Sequence, residues 1–207
     1  MCVRYFAKGG IFMSINPSII CGNWDIGYSL DRHTLFSVYC GEDEYGHPIF
    51  DTTRSDLGEL MYQLKYHQDI SIIDEIMNLI SPFLDKFSKK YSINAIIPVP
   101  PSNTNRTFQP VSILAEYIGN YLGKKVFYDF ISKTNNTQLK GLDSEAKRKA
   151  IKGSIAKHQH FISNNVNVLI VDDLYQTGST LNEIVDVLRT DPNINEIYVL
   201  TITRTRR

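Results

Sequence analysis

Apolar and polar residues alternate regularly in the first quarter of the 207-residue chain. From Trp24 to Leu30 every second residue is apolar, which is the period of a half-buried strand. A second strand is predicted from Thr34 to Cys40, and a short edge strand from Pro48 to Thr52. Together these segments predict a small antiparallel sheet, which is too small to bury a core of its own and must pack on the remainder of the protein.

The pattern then changes to the helical spacing of three and four residues. One helix is predicted over about residues 55–67, and another begins at Ser71. Pro82 either ends this second helix or stands at the first position of a further one, because proline is accepted there. We therefore expect a helical lead-in over residues 55–90.

Strands and helices alternate in the rest of the chain. The predicted elements are a strand at 93–99, a helix at 110–122, a short strand at 126–128, a strand at 166–171, a helix at 180–190 and a strand at 196–201. This alternation predicts an α/β fold with a doubly wound parallel sheet, whose ligand site lies at the carboxyl ends of the strands. We accordingly divide the chain into a β-rich N-terminal extension, residues 1–54, and a main domain, residues 55–207.

The stretch from Val168 to Thr180 carries the clearest chemical signal. Four apolar residues typical of a buried strand are followed by Asp172 and Asp173. A loop of small residues comes next and leads into the helix: Thr177, Gly178, Ser179 and Thr180. Such a loop offers N–H donors and the positive end of the helix dipole to a phosphate. Adjacent carboxylates suit ribose hydroxyls or a hydrated Mg²⁺, so the stretch predicts a sugar-phosphate site.

Other interpretations of this stretch remain open. The chain lacks the G-x-x-x-x-G-K-[ST] and G-x-G-x-x-G motifs, which disfavours a nucleoside triphosphatase or a dehydrogenase. In a purely structural interpretation the two aspartates are turn residues, and Thr180 forms a capping box with Glu183. A phosphatase or receiver domain built on the aspartates would need a lysine at a later strand end, and none is evident.

The thirteen residues from Val168 to Thr180 resemble the phosphoribosyl pyrophosphate (PRPP) signature of type I phosphoribosyltransferases, which has four apolar residues, two acids, a short variable stretch and T-G-x-T. Other segments are similar to the ComF-like branch of that superfamily, named for a competence protein of DNA uptake. They are Pro98-Val99-Pro100, Arg106-Thr107-Phe108-Gln109, Gln138 with Arg148, and Leu64-Lys65-Tyr66. Without this resemblance, Lys65 would be interpreted as an ordinary solvated lysine of a helix.

The resemblance implies a Mg²⁺-dependent enzyme that transfers phosphoribose from PRPP to an unidentified nitrogenous acceptor. It assigns the ribose hydroxyls and the stabilisation of positive charge to Asp172 and Asp173, which would contact Mg²⁺ only through PRPP or water. The loop of residues 177–180 would bind the 5-phosphate. The N-terminal sheet would be the hood that selects the acceptor.

The resemblance also implies a site for pyrophosphate. This group would lie on the loop after Pro100 and would be held by Arg106. Residues 133–153 carry a surplus of basic residues and correspond to the mobile loop that closes over PRPP in the family, with Lys147 or Arg148 above the ligand.

A different class of function stays open, namely a non-catalytic PRPP- or nucleotide-binding adaptor that acts with DNA-processing or helicase-type partners. The chain ends in Arg204, Arg206 and Arg207, which are able to contact a phosphate backbone. Basic and acidic residues both number 22, so global charge gives no sign of affinity for nucleic acid or membranes. The acceptor, the partner and the oligomeric state stay undetermined, with a homodimer as one alternative.

Cysteine usage and hydropathy indicate the compartment. The three cysteines are widely spaced and odd in number, which favours free thiols in a reducing compartment. A zinc site is not expected, because the available residues lack paired spacing: Cys21, His33, Cys40 and His47. No apolar run reaches the roughly 18 residues of a membrane span, and Gly9-Gly10 interrupts the start where a signal peptide would be apolar. We therefore expect a cytoplasmic protein.

Overall fold

A six-stranded sheet forms the centre of the protein. The computed structural model describes residues 3–6, 12–103, 107–133 and 152–205. The strands of the sheet are β3 (Ser18–Ile19), β4 (Ile26–Arg32), β7 (Ala95–Pro98), β8 (Lys125–Val126), β11 (Val166–Tyr175) and β12 (Ile194–Arg204). Their order is β3-β4-β12-β11-β7-β8, and every pairing is parallel except that of β3 with β4. The predicted α/β fold with a doubly wound, mostly parallel sheet is confirmed.

Three antiparallel hairpins accompany the sheet. They pair β1 (Val3–Phe6) with β2 (Phe12–Ile15), β5 (Thr34–Glu42) with β6 (Pro48–Arg54), and β9 (Ile131–Lys133) with β10 (Ile155–Lys157). The last of these hairpins flanks the basic segment, of which residues 134–151 lie outside the described residues.

The strand predicted around Trp24 to Leu30 has a different partner from the expected one. It is β4, and it pairs in parallel with β12 in the main sheet, with Ile26 opposite Tyr198. Of the three strands predicted to form the small N-terminal sheet, the other two are β5 and β6, which pair with each other in a separate antiparallel sheet. The alternation of apolar residues reveals that a strand has one buried face, but it carries no information about a partner that lies some 170 residues away in sequence. The division of the chain at residue 54 stays a prediction.

Helices cover both faces of the sheet. They are α1 (Asp56–Tyr62), which continues into a π-helical turn (Gln63–His67), a 3₁₀ turn (Ile70–Ile72), α2 (Ile73–Lys90), α3 (Pro110–Leu122) and α4 (Ser179–Leu188). Leu169 and Val171 of β11 pack with α1, α2 and α3, whereas Val168 and Ile170 pack with α4. Because both faces are buried, β11 is a continuous apolar run instead of an alternating strand.

Helix α2 passes through Pro82 without interruption, so both alternatives predicted there are wrong. Proline lacks the N–H that would bond to the carbonyl of Asn78, and the Ser81 hydroxyl donates to that carbonyl instead, at 3.4 Å. Ile80 and Leu84 stay fully buried on either side of the proline. Their packing offsets the roughly 3 kcal/mol that proline costs inside a helix.

The order of the strands reverses between β7 and β11. From β7 the chain moves outward through α3 to β8, and it later returns to β11 on the other side of β7. In open α/β sheets, ligands bind at such a switch point, outside the carboxyl ends of the strands. Among the described residues, no helix is long and apolar enough to cross a membrane.

Candidate functional site

The carboxyl ends of β7 and β11 bring two of the sequence-predicted segments together. Val171 lies opposite Pro98, and the Val99 N–H donates to the Val171 carbonyl at 2.9 Å. Asp172 therefore lies just beyond the level at which β7 ends. The structure thus places the two aspartates and the turn after β7 at the switch point of the sheet.

Helix α1 approaches this edge from one face of the sheet. Its N-terminus is capped by Ser55, whose hydroxyl accepts from the Gly58 N–H at 3.0 Å and donates to the Arg32 carbonyl at the end of β4. A Cβ atom at Gly58 would lie 2.2 Å from the His33 carbonyl oxygen, so glycine is required for the helix to come this close. The close approach fixes the position of the π-helical turn at the end of α1, which carries Lys65.

Lys65 forms an ion pair with Asp173. The ammonium donates directly to the Asp173 carboxylate, and the two side chains are only 29% and 14% exposed. Burial pulls the pKa of Lys65 down, but the charge and hydrogen bond of Asp173 outweigh burial, so the pKa is raised. The interpretation of Lys65 as a solvated lysine is therefore wrong. Its position in a π-helical turn agrees with the frequent occurrence of such turns at functional sites.

Two further groups lie on the Asp173 side of the site. The Thr203 hydroxyl donates to the backbone carbonyl of Asp173 at 3.1 Å and lies 3.2 Å from Nδ1 of His33. Burial lowers the pKa of the His33 imidazole, and the charges of Arg54 and Lys65 lower it further. His33 is therefore uncharged at neutral pH, and the cation next to Asp173 is the lysine.

Asp172, directly before Asp173 in the chain, has different surroundings. One of its carboxylate oxygens accepts the backbone N–H of Asp173 at 2.9 Å. Burial raises the pKa of the Asp172 carboxyl well above its usual range, and the charge of Asp173 raises it further. This N–H bond and the charge of Lys133 lower the pKa again, but burial dominates.

Lys133 is a member of the site that the sequence did not reveal. It ends β9, and its ammonium donates to the Ser102 hydroxyl at 2.8 Å, in the loop after β7. Burial lowers the pKa of Lys133, while the charges of Asp172 and Asp173 act in the opposite direction. The only signal in the sequence is its place at the edge of the basic segment. Its contact with Ser102 shows that Lys133 lies at the switch point, beside the loop after β7.

The small-residue loop connects β11 to α4 through a left-handed glycine. Gly178 has φ of 74° and is the N-terminal boundary residue of α4, where glycine has no side chain to cap the helix. The hydroxyls of Thr177 and Ser179 lie 3.0 Å apart. The Ser179 N–H donates to the Thr177 hydroxyl at 3.4 Å, which is a long hydrogen bond. The N-terminus of α4 is therefore only weakly capped, and such a helix end suits an anion.

The helix after the loop begins at Ser179, one residue earlier than predicted, and the suggested capping box is not formed. Thr180 lies inside the first turn, and Glu183 instead accepts the backbone N–H of Gly153 at 2.6 Å. The aspartates are not turn residues either, because β11 continues through them to Tyr175 and pairs with β12 along this extension. Both parts of the purely structural interpretation are therefore wrong, namely the capping box of Thr180 with Glu183 and the role of the aspartates as turn residues.

Several sequence-predicted residues cannot be compared with the structure. Arg106, Arg148, Lys147 and Gln138 lie outside the described residues. The strands on either side of the basic segment, β9 and β10, are described and pair with each other.

The acidic pair does not form a complete metal cage. In the described part of the chain, no group of three or more histidine, cysteine, aspartate or glutamate side chains converges on one point. Asp173 is engaged by Lys65, and its acidic neighbour at the strand end is Asp172. Among the described residues, a Mg²⁺ ion at this place would find only these two carboxylates as protein ligands and would keep most of its waters.

Comparison with known proteins gives distant similarities. No protein-family model matches the chain, and no curated protein sequence matches it. Similar solved structures include an adenine phosphoribosyltransferase, with 12% identity over 80% of this chain and 85% of that chain and a TM-score of 0.45. A purine phosphoribosyltransferase from Pyrococcus horikoshii Ot3 has 19% identity over 64% of this chain and 82% of that chain, with a TM-score of 0.43. A hypoxanthine phosphoribosyltransferase from Staphylococcus aureus has 16% identity over 62% of each chain and a TM-score of 0.40. At this distance, the function of the chain is derived from its own residues.

Proposed function

We propose that this protein binds PRPP and transfers its phosphoribose to a nitrogenous acceptor. The observation that carries the proposal is the meeting of two unlike binding elements at the switch point. They are the carboxylates at the end of β11 and the N-terminus of α4, which is capped only by the long bond from the Ser179 N–H to the Thr177 hydroxyl. A ribose 5-phosphate needs both elements, because its phosphate suits the helix N-terminus and its neighbouring hydroxyls suit the carboxylates.

In this proposal the aspartates act on the sugar. The carboxylate oxygens of Asp172 and Asp173 accept hydrogen bonds from the 2- and 3-hydroxyls of the ribose. When the bond between C1 and pyrophosphate breaks, positive charge develops on the sugar, and a fixed carboxylate nearby stabilises it. The Lys65 ammonium compensates the charge of Asp173 and holds its carboxylate in one orientation. Lys65 is therefore a positioning residue.

The loop acts on the 5-phosphate. The backbone N–H groups of residues 177–180 and the hydroxyls of Thr177 and Ser179 supply the donors that a phosphate requires. The left-handed conformation of Gly178 allows the chain to turn from β11 into α4 over only three residues. A side chain at this position would be strained, which explains the choice of glycine.

The leaving pyrophosphate needs cations on the side of β7. Lys133 lies there, beside Ser102 and within electrostatic reach of both aspartates. By the resemblance to type I phosphoribosyltransferases, Arg106 and Arg148 would act on the same group. Mg²⁺, carried in with PRPP, would neutralise the negative charge on the pyrophosphate.

A second candidate function is a non-catalytic PRPP- or nucleotide-binding adaptor for a DNA-processing partner. The observation that favours it is the low net charge of the acidic pair. Lys65 neutralises Asp173, and the raised pKa of Asp172 favours its protonated form. A site with little free negative charge can bind ribose hydroxyls, but it stabilises a cationic transition state less well.

Calorimetric titration with PRPP and Mg²⁺ tests the ribose-phosphate site that both candidates share. We expect saturable binding that weakens at least tenfold in Asp172→Asn and in Asp173→Asn, which corresponds to about 1.4 kcal/mol. Asp74→Asn, an exposed position on α2, removes the same charge elsewhere and should bind like the wild type. Unchanged affinity in both site variants would contradict the proposal.

Pyrophosphate release separates the two candidates. The enzyme should release pyrophosphate from PRPP only when an acceptor is present, and Asp173→Asn should reduce the rate at saturating PRPP. An adaptor should bind PRPP with the same dependence on the aspartates and release none across a panel of nitrogenous acceptors.

A further inference from the structure

The hairpin of β5 and β6 is separate from the central sheet, and we call its residues 34–54 the arm. Among the described residues, its two strands pair with each other and with no other strand. The arm is attached at its base, where Arg54 forms an ion pair with Glu59 of α1 and its guanidinium lies 3.7 Å from the centroid of the Tyr62 ring. Residues 35–40 and 44–51, which are farther from this base, are exposed.

Apolar and aromatic side chains are concentrated on the exposed part of the arm. In the part of the chain that the structure describes, seven of the thirteen exposed large apolar or aromatic residues belong to the arm. Tyr39 packs edge-on against Phe50 across the hairpin, with 5.8 Å between the ring centroids, and the alternation along β5 places Phe36 and Val38 on the opposite face. Both faces therefore carry exposed apolar surface. Six of these residues lie on the two strands and are each 40% to 57% exposed: Leu35, Phe36, Val38, Tyr39, Ile49 and Phe50.

The exposed apolar area is as large as one side of a protein–protein interface requires. The three half-exposed aromatic side chains offer about 300 Å², since a whole aromatic side chain has about 200 Å². The three aliphatic side chains add about 150 Å². A standard interface takes about 800 Å² from each partner, of which a little more than half, about 450 Å², is apolar. Because an isolated two-stranded hairpin is marginally stable in water, this area indicates that the arm has a partner.

The charges of the arm favour a second copy in the opposite direction as that partner. Glu42 and Glu44 are exposed at the tip, and the backbone N–H of His47 helps to lower the pKa of Asp43 between them. Arg32 is exposed at the base, where the chain leaves β4. In an antiparallel pair of arms, the acidic tip of each arm lies beside Arg32 of the partner subunit. A parallel pair would instead bring two acidic tips together.

We propose that the arm is the dimerisation surface of this protein, and that a second copy of the chain packs its own arm against it, antiparallel and about a two-fold axis. Both copies then use the same surface, so the assembly closes at two chains. The arm follows β4 at the edge of the sheet where the Thr203 hydroxyl bonds the Asp173 carbonyl. The dimer would therefore form on the side of the molecule that carries the candidate site. The inference does not rest on PRPP binding.

The resemblance to type I phosphoribosyltransferases gives the same hairpin another role, that of a hood over the acceptor. A hood of this kind closes over the ligand of its own subunit, and its apolar side chains are then covered without a second copy. The two roles differ in the number of chains in solution, because a hood that acts within one subunit leaves the protein monomeric.

Sedimentation velocity of the full-length protein over a wide concentration range tests the inference. We expect a reversible equilibrium between one and two chains. Val38→Lys/Tyr39→Lys places one charge on each face of the arm and should raise the dissociation constant of the dimer at least tenfold. Ile70→Lys/Ile162→Lys introduces the same two charges at exposed apolar positions outside the arm and should dimerise like the wild type. A wild type that stays monomeric, or an arm variant that dimerises as tightly as the wild type, would overturn the inference.

Reversal of the charges tests the antiparallel arrangement. Glu42→Arg should weaken the dimer severalfold, because it places two cations together, and Arg32→Glu should do the same. The double variant Glu42→Arg/Arg32→Glu restores opposite charges and should recover most of the affinity, and a double variant weaker than both single ones would overturn the arrangement. Circular dichroism shows that each variant is folded. Asp173→Asn should dimerise normally, so a failure of the PRPP proposal leaves this result intact.

Discussion

Asp172 and Asp173 are adjacent residues of the same type, yet their side chains have different partners on the two sides of the candidate site. On one side, Asp173 is held by the Lys65 ammonium, and Thr203 bonds its backbone carbonyl. On the other side, the Asp172 carboxylate accepts the backbone N–H of Asp173, and the cation that acts on it, Lys133, donates its hydrogen bond to Ser102. The charge of Asp173 is compensated by the Lys65 ammonium. Asp172 has no such ion pair, and its raised pKa favours protonation of its carboxyl group.

The difference follows from the cost of placing two negative charges together in a buried place. Like charges that share a site push the pKa of one member up, and burial adds to this effect. Lys65 relieves that cost only for Asp173. Asp173 consequently has a direct cationic partner, whereas the raised pKa of Asp172 favours its protonated form, which is also able to donate a hydrogen bond. Two adjacent aspartates thus provide two different binding groups.

Removal of the Lys65 charge should have the largest effect on this asymmetry. Lys65→Met leaves the mostly buried Asp173 carboxylate without its cation. We expect a loss of about 2–3 kcal/mol in the free energy of unfolding, between the values for exposed and fully buried pairs. Urea denaturation at pH 7 measures the loss, with Lys89→Met as the control for a lost lysine. The double variant Lys65→Met/Asp173→Leu should recover most of it, and a double variant as unstable as the single one would rule out the unpaired carboxylate as the cause.

Replacement of Asp172 should have a smaller effect of opposite sign. The folded protein holds the Asp172 proton more tightly than the unfolded chain, because burial raises its pKa above the ordinary value of 3.8. Stability therefore decreases as the pH rises from that value through the raised pKa. Asp172→Asn removes this loss and should melt a few degrees higher than the wild type at pH 7, since about 1 kcal/mol shifts Tm by about 2–4 °C in a chain of this size.

The pH dependence distinguishes this explanation from a general effect of asparagine. The gain of Asp172→Asn should disappear near the ordinary carboxyl pKa, where the wild-type side chain is protonated in both states. Asp173→Asn should instead destabilise the protein at pH 7, because it leaves Lys65 without a counter-charge. Equal shifts of Tm in the two variants would contradict the comparison.

The sequence predicted the part of the site that is local in the chain. The apolar run, the two acids and the small-residue loop follow one another within thirteen residues, so their arrangement at the end of β11 follows from strand and helix periods alone. The α/β alternation placed this end at the edge of a parallel sheet. The helix at 110–122 was also predicted at the bounds that α3 has.

The remaining features depend on contacts that sequence periods do not encode. Lys65 and Asp173 are 108 residues apart, and nothing in the helix pattern distinguishes a lysine that faces a buried acid from one that faces water. The contact of Lys133 with Ser102, in the loop after β7, likewise joins residues that are 31 positions apart in sequence. The parallel partner of β4 likewise becomes visible only when the sheet is assembled.

The smallest expected effect is that of Ser102→Ala, and its comparison with Lys133→Met shows whether the hydroxyl of Ser102 or the charge of Lys133 acts on Asp172. Ser102→Ala removes the hydroxyl that Lys133 contacts, and a single partly exposed hydrogen bond contributes about 1 kcal/mol or less. Lys133→Met removes the charge that lowers the pKa of Asp172, so this pKa should rise further. NMR titration of the Asp172 carboxyl carbon measures both variants. We expect a clear upward shift for Lys133→Met and little change for Ser102→Ala, because the charge of Lys133 and not its hydrogen bond acts on the carboxylate. An equal shift in the two variants would mean that Ser102 holds the lysine in place and that the Asp172 side is as tightly organised as the Asp173 side.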